Sequence, residues 1–129
     1  MIKELPDVLL LSYLGDSVFE VLVRERLIKI KGANPQSCNK ESLSYVSAPF
    51  QAEAAKRLAD HFSEDEAEIF RHGKNAKSNS NPRNTSLYTY RIATGLEAVF
   101  GYNYYINNNE RNRELFELGF PCGEKEESE

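Results

Sequence analysis

Asp16 is a carboxylate within a largely apolar segment, residues 8–30, whose apolar side chains cover almost the whole circumference of a predicted helix. Ser12, Asp16 and Glu20 are four residues apart and therefore stack on one face of that helix, with Gly15 beside them. A buried carboxylate without a partner costs several kcal/mol, or shifts its pKa until it becomes neutral. Asp16 therefore needs a bound cation, an ion-pair partner or a water-filled cleft.

Glu97 is the single acid of a second apolar segment, which the pattern predicts to be a helix over residues 86–107. Thr94 lies about one turn before Glu97 and Gly101 about one turn after it, so this carboxylate also has small or hydroxyl-bearing neighbours on its own face. The second helix thus resembles the first.

Two buried helices that each bring one carboxylate inward suit a hard cation such as Mg²⁺. This ion commonly takes one or two protein carboxylates, keeps several waters and completes its octahedron with phosphate oxygens of a substrate. A metal held in this way can activate water for attack on a phosphate. The alternative is that Asp16 and Glu97 form internal ion pairs with Arg24 or Arg91, and the spacing alone leaves both interpretations open.

Helix signals account for most of the chain and predict an all-α fold. The predicted helices are one from residue 8 to near residues 31–32, 35–46, one that starts at 47–49, one that starts at the capping box 63–66, 86–107 and 109–118. Neither strand-like alternation nor an internal repeat is found. Residues 1–120 are therefore predicted to form one domain, and the acidic stretch 121–129 is predicted to be a disordered tail.

Composition favours an intracellular protein. The chain has 129 residues, of which 40% are hydrophobic, enough for one core. Its apolar runs are shorter than the roughly 20 residues of a membrane span, and residues 1–6 lack the features of a signal peptide. Cys38 and Cys122 lie far apart, without the spacing of a metal or redox motif, and are interpreted as reduced thiols. We therefore expect a cytoplasmic protein without a membrane partner.

The charge pattern points to a polyanion despite a net charge of −4. No acid occurs between Phe70 and Leu96, whereas several basic residues do. Within this segment, residues 73–85 are rich in Gly, Asn, Ser and Pro and are predicted to form a loop. A local basic patch can attract nucleic acid to an acidic protein. The alternative is a solvated loop that happens to be basic.

Two motifs carry a family resemblance. Residues 13–18 (YLGDSV) resemble the first signature of the ribonuclease III family, and residues 96–101 (LEAVFG) resemble its second. From about residue 10 to about residue 120 the chain is similar to the Mini-ribonuclease III branch, in which no separate double-stranded-RNA-binding domain follows the catalytic one. The segment 71–77 (RHGKNAK) also matches that branch.

The resemblance implies catalytic and metal-binding roles for Asp16 and Glu97, with Mg²⁺ as the cofactor and Mn²⁺ as a substitute. It also implies a homodimer of the ribonuclease III endonuclease fold, in which Tyr13 packs across the two-fold axis. The sequence departs from the larger enzymes at Ser12 and Thr94, where those enzymes carry carboxylates. Metal binding is therefore expected to be weaker. Glu20 is either a further ligand or the partner of Arg24 in a salt bridge.

The implied reaction is hydrolysis of a phosphodiester in double-stranded RNA, leaving a 5′-phosphate. Within Mini-ribonuclease III the substrate is the precursor of 23S ribosomal RNA, which makes a ribosomal protein a further candidate partner. The predicted RNA contacts are Lys74, Asn75, Lys77, Arg83, Asn84 and Arg91. Two other functions stay open from the residues alone: a non-catalytic module that binds double-stranded RNA, and a helical protein-interaction domain.

Overall fold

The computed structural model describes residues 4–77 and 86–121, and this part of the chain is all-α, as predicted. A 3-10 turn at Ala59–His61 follows the third helix. None of the described helices combines the length and apolarity needed to cross a bilayer. The helices are α1 (Val8–Leu27), α2 (Pro35–Tyr45), α3 (Ala48–Leu58), α4 (Glu64–Asn75), α5 (Leu87–Tyr105) and α6 (Asn109–Gly119).

The helix starts follow from side-chain caps that the sequence contains. The Asn34 side chain accepts a hydrogen bond from the backbone N–H of Ser37 at 2.9 Å, and Ser63 forms the predicted capping box with Glu66. Helix α1 ends at Leu27, about one turn before the end predicted near residues 31–32, because the chain leaves the helix in turns before Gly32, which has a φ of 81°. A left-handed conformation of this kind favours glycine.

Helices α1 and α5 cross at the centre of the molecule with their backbones in contact. A Cβ atom added to Gly15 would lie 1.7 Å from the carbonyl oxygen of Glu97, and one added to Gly101 would lie 1.9 Å from that of Leu11. From the sequence alone, these glycines are expected to leave space beside the carboxylates. In the structure that space is filled by the backbone of the opposite helix, so the two glycines permit the helix crossing itself.

The predicted loop over 73–85 begins later than expected, because α4 continues through Asn75. Gly73 is buried against α5, where an added Cβ would come within 3.0 Å of the Cα of Gly95. Glycine here is a packing residue and not a helix breaker. The loop prediction is therefore wrong for Gly73, Lys74 and Asn75. Residues 78–85 lie outside the described residues.

Aromatic side chains and a buried polar cluster complete the core. The centre of the Phe19 ring lies 5.1–5.9 Å from the ring centres of Phe100, Phe116 and Phe120.

The buried polar cluster is centred on Glu66, which is 2% exposed and accepts a 2.8 Å hydrogen bond from Arg111. Burial alone would raise the pKa of Glu66, but hydrogen bonds, above all from Arg111, hold it below its usual value. This ion pair therefore stabilises the fold above the pKa of an unfolded Glu, and its contribution is lost as the pH falls.

Candidate active site

The crossing of α1 and α5 brings the two predicted carboxylates together. Gly15, which precedes Asp16, contacts the backbone of Glu97 itself. The side chain of Glu97 is largely enclosed by the surrounding helices, whereas that of Asp16 is exposed, so the prediction that both carboxylates point inward is wrong for Asp16. The charge of Asp16 contributes to the raised pKa of Glu97, as expected for two neighbouring carboxylates.

Glu97 is held by two hydrogen bonds, one to each carboxylate oxygen. The hydroxyl of Ser12 donates to Oε1 at 3.4 Å, and the Gln51 amide Nε2 donates to Oε2 at 3.5 Å. Burial, and then the charge of Asp16, raise the pKa of Glu97 to about 7, although both hydrogen bonds act in the opposite direction. The folded protein therefore binds the Glu97 proton more tightly than the unfolded chain does. Without a cation, stability falls as the pH rises from the usual glutamate pKa towards 7.

Asp16 also carries a raised pKa, caused by burial and then by the charge of Glu20. Glu20 lies one helical turn after Asp16 on α1 and forms a salt bridge with Arg24, with 3.2 Å between Glu20 Oε1 and Arg24 Nη2. The salt bridge foreseen for Glu20 is thus present. Since the Glu20 and Arg24 side chains are both partly exposed, their salt bridge contributes little to the stability of the fold.

Neither site carboxylate has an ion-pair partner among the described residues. Arg24 is engaged by Glu20, and Arg91 is exposed on α5 without a salt bridge to Asp16 or Glu97. The core ion pairs considered as an alternative are therefore not formed in this part of the chain. Two adjacent, uncompensated carboxylates with raised pKa values are the arrangement that a divalent cation stabilises.

The two hydroxyl residues near the carboxylates behave differently. Ser12 is buried and donates its hydroxyl to Glu97. Thr94 donates its hydroxyl to the carbonyl oxygen of Tyr90 at 3.0 Å, within its own helix. Ser12 therefore contacts the Glu97 carboxylate directly, whereas the hydroxyl hydrogen of Thr94 is donated to a backbone carbonyl oxygen of its own helix.

Residues 9–108 match the ribonuclease III domain family. The chain belongs to the ribonuclease III family. A Mini-ribonuclease 3 from Thermoanaerobacter sp. (strain X514) is 39% identical over 110 residues, which cover 85% of this chain and 78% of that protein. A Mini-ribonuclease 3 from Brevibacillus brevis is 35% identical over 122 residues, which cover 95% of this chain and 91% of that protein.

The fold is likewise that of a solved protein. The crystal structure of protein FN1578 from Fusobacterium nucleatum superposes with a TM-score of 0.78 at 28% sequence identity, covering 87% of this chain and 89% of that one.

The family and the Mini-ribonuclease 3 relatives identify the activity of this chain. It is an endoribonuclease of the ribonuclease III type, which acts on double-stranded RNA. Enzymes of the family use a divalent metal. The helical protein-interaction domain and the purely binding module are thereby superseded.

The residues predicted to contact RNA occupy two elements of the ribonuclease III domain. Lys74 and Asn75 lie in the last turn of α4, and Lys77 follows that helix. The Lys74 ammonium lies 5.8 Å from the centre of the Phe70 ring, and Arg91 is exposed on α5. Arg83 and Asn84 lie outside the described residues. Their roles stay predictions.

Tyr13 is 79% exposed on α1, unusually so for a large aromatic side chain. Leu10 and Val21, at helical spacing from it, are also exposed, at 58% and 55%. Val21 also lines a groove of about 240 Å³, together with residues that include Leu14 and Tyr104. An apolar surface of this kind, uncovered in one chain, is typical of an interface with another protein.

Gln51 contacts Glu97 in the site but is not among the residues predicted from the sequence. Its spacing from Ala54, Ala55 and Leu58 is that of one helix face, and all four side chains are buried. Phe50, the residue before it, is 37% exposed. A glutamine in register with three apolar residues was the available signal. Only the packing of α3 on α5 could show which residue it contacts.

Proposed function

We propose that this ribonuclease III domain is a Mg²⁺-dependent endoribonuclease in which Asp16 and Glu97 hold the metal ion, with Mn²⁺ able to replace it. The observation that carries the proposal is the pair of adjacent carboxylates without a cationic partner among the described residues. The charge of Asp16 disfavours ionisation of Glu97, and a bound cation would relieve that cost, so the pair has the electrostatic character of a metal site.

The donor set fits Mg²⁺. Two carboxylates are within the number that this ion takes from a protein, and each oxygen of Glu97 retains an acceptor site beyond its one hydrogen bond. When bound, the ion supplies an activated water and stabilises negative charge on the phosphate under attack. The chain itself orients Glu97 through Ser12 and Gln51, and the glycine contacts fix the separation of α1 and α5.

The basic end of α4 and the exposed Arg91 are proposed to bind the RNA backbone. Lys74 and Lys77 supply charge for phosphates, and Asn75 can bond to ribose hydroxyls; Arg83 and Asn84 are proposed for the same surface from the sequence. Recognition of duplex RNA depends mainly on shape, phosphates and 2′-hydroxyl groups. Charges placed on a helix end and the segment after it suit that mode of binding.

Removing both lysine charges, in the double variant Lys74→Ala/Lys77→Ala, is expected to weaken duplex binding and its dependence on salt. Each lost phosphate contact lowers the slope of log K against log salt by up to about 0.9. Filter binding or fluorescence anisotropy over a range of KCl concentrations measures this slope. Lys29→Ala/Lys31→Ala removes the same charge beyond α1 and is the matched control. An unchanged slope in the first variant would exclude these two lysines from the RNA interface.

We further propose that two copies of the chain associate through the apolar face of α1 that Tyr13, Leu10 and Val21 form. Exposure of these side chains, the adjacent groove and the family resemblance support a second copy as the occupant. In such a dimer each subunit would cut one strand of the duplex.

The variant Tyr13→Arg is expected to produce a monomer at micromolar concentration, because it would bury two charges next to the two-fold axis. Light scattering coupled to size-exclusion chromatography should give twice the 14.7 kDa chain mass for the wild type and the single mass for the variant. Leu43→Arg, at a residue of α2 that is 68% exposed and does not line the groove, is the control. A wild-type monomer, or a dimeric Tyr13→Arg variant, would argue against this interface.

The cellular role is proposed from the relatives. Similarity to Mini-ribonuclease 3 along most of the chain supports maturation of the 23S ribosomal RNA precursor in the cytoplasm, where a ribosomal protein is a candidate partner. Cys38 is a free thiol, whereas Cys122 lies outside the described residues.

The direct test is incubation of the protein with an end-labelled RNA duplex in Mg²⁺, in Mn²⁺ and in EDTA. Cleavage to 5′-phosphate ends with either metal, and none in EDTA, is the expected result. Binding without cleavage in both metals, across several duplexes, would contradict the metal-dependent enzyme.

A further inference from the structure

Gln51 is a buried polar side chain with an incomplete set of partners. Its side chain is 1% exposed, and its Nε2 donates to Glu97 from α3, 46 positions earlier in the sequence. Its Oε1 is shielded from solvent and has no hydrogen-bond partner among the described residues. Unsatisfied buried acceptors are rare in folded proteins because they forfeit the hydrogen bond that water would supply.

The packing of α3 does not account for a glutamine at this position. Its neighbours on the same face are Ala54, Ala55 and Leu58, all buried, so an unbranched apolar side chain of similar size would fill the same space. What such a side chain would lose is the hydrogen bond to Glu97. The contact that distinguishes glutamine here is therefore the one with the proposed metal ligand.

We propose that Gln51 is a positioning residue, which together with Ser12 holds the Glu97 carboxylate in the orientation that binds the divalent cation. The inference rests on the metal-binding role proposed for Glu97. Ser12 and Gln51 each donate to a different oxygen of Glu97, so the carboxylate is restrained on both sides while each oxygen keeps an acceptor site.

Restraint of this kind matters more in a site with few ligands. Groups that orient a metal ligand through hydrogen bonds commonly change metal affinity by about 10- to 100-fold when they are removed. The described part of the chain has no cluster of three or more acidic, histidine or cysteine side chains arranged for a metal. With two carboxylates available, the orientation of Glu97 then accounts for a large share of the affinity.

The test compares Gln51→Met with the wild type in two measurements. Metal affinity is measured from the free-ion electron paramagnetic resonance signal of Mn²⁺ and by competition with Mg²⁺. Stability is measured as the Tm in EDTA. We expect the dissociation constant for either metal to rise about 10- to 100-fold. We expect the metal-free Tm to stay the same or to rise, because the orphaned acceptor is gone. Gln36→Met, at an exposed position of α2, is the matched control.

The outcomes separate this inference from the proposed function. If the wild type binds neither metal, the metal-binding function itself fails. If the wild type binds metal and Gln51→Met binds it equally well, the positioning role is excluded. A lower metal-free Tm with unchanged affinity would make Gln51 a structural residue only.

A second variant covers the case in which Gln51→Met does not fold. Gln51→Glu keeps the shape but replaces the donor to Glu97 with another carboxylate. Its Tm in EDTA should fall below that of the wild type, and Mg²⁺ should raise it by more than it raises the wild-type Tm. An equal Mg²⁺ effect on both proteins would place Gln51 outside the metal site and overturn the inference.

Discussion

The Asp16→Asn variant is expected to cleave duplex RNA at least about 1,000-fold more slowly than the wild type, which corresponds to roughly 4 kcal/mol of transition-state stabilisation. Asparagine preserves the shape of the side chain but removes the charge that, with Glu97, makes the site attractive to a cation. Single-turnover cleavage of a labelled duplex in Mg²⁺ measures the effect. Duplex affinity in EDTA should stay unchanged, since Asp16 does not supply positive charge to the RNA surface.

Asp60→Asn is the matched control, because Asp60 is exposed in the 3-10 turn after α3 and lies outside the site. Its cleavage rate should equal that of the wild type. Cleavage by Asp16→Asn within tenfold of the wild-type rate would remove Asp16 from the metal site. Loss of activity together with loss of folding, seen by circular dichroism, would instead indicate a structural role for the carboxylate.

The Gly15→Ala variant is expected to lose about 3–5 kcal/mol of unfolding free energy. The added Cβ would lie 1.7 Å from the Glu97 carbonyl oxygen and 2.8 Å from the Gly101 amide nitrogen. Both are backbone atoms, which cannot rotate away as a side chain can. Helix α1 must therefore move away from α5 and open the central packing of the protein. Urea unfolding followed by circular dichroism, at one protein concentration, measures the loss.

Gly32→Ala provides the comparison for this prediction. An added Cβ at Gly32 meets no atom within 4 Å, so only the positive φ of 81° opposes alanine there, at about 1 kcal/mol. If Gly15→Ala is no more destabilising than Gly32→Ala, the close crossing of α1 and α5 is not a constraint on the fold. Folded Gly15→Ala protein should also cleave RNA slowly, because the clash falls on the residue that carries the second carboxylate.

The same contact explains why fold and site are linked in this protein. The backbone of Glu97 lies against Gly15, while its side chain is enclosed and has a pKa raised to about 7. The ionised carboxylate thus opposes folding in the absence of metal, and a bound cation relieves that cost. The stability of the α1–α5 crossing holds the site together against this repulsion.

Local patterns in the sequence were sufficient to predict the positions of the helices and to identify the two candidate carboxylates. Apolar periodicity and caps such as those at Asn34 and Ser63 depend on residues only three or four positions apart, so they can be read without knowing the fold. Asp16 and Glu97 could be recognised as unusual because each is an acid within a largely apolar stretch of helix, although the structure encloses only Glu97.

Only the tertiary structure determined which residues of different helices contact each other. Gly73 resembles a helix breaker in sequence but is helical, since α5 packs onto it. Gly15 lies at a backbone contact with residues more than 80 positions away, and Gln51 reaches Glu97 from a third helix. Periodicity identifies the buried face of a helix but not its neighbour there. The sequence alone therefore determined the helices and the two candidate carboxylates, and only their packing determined which side chains complete the site.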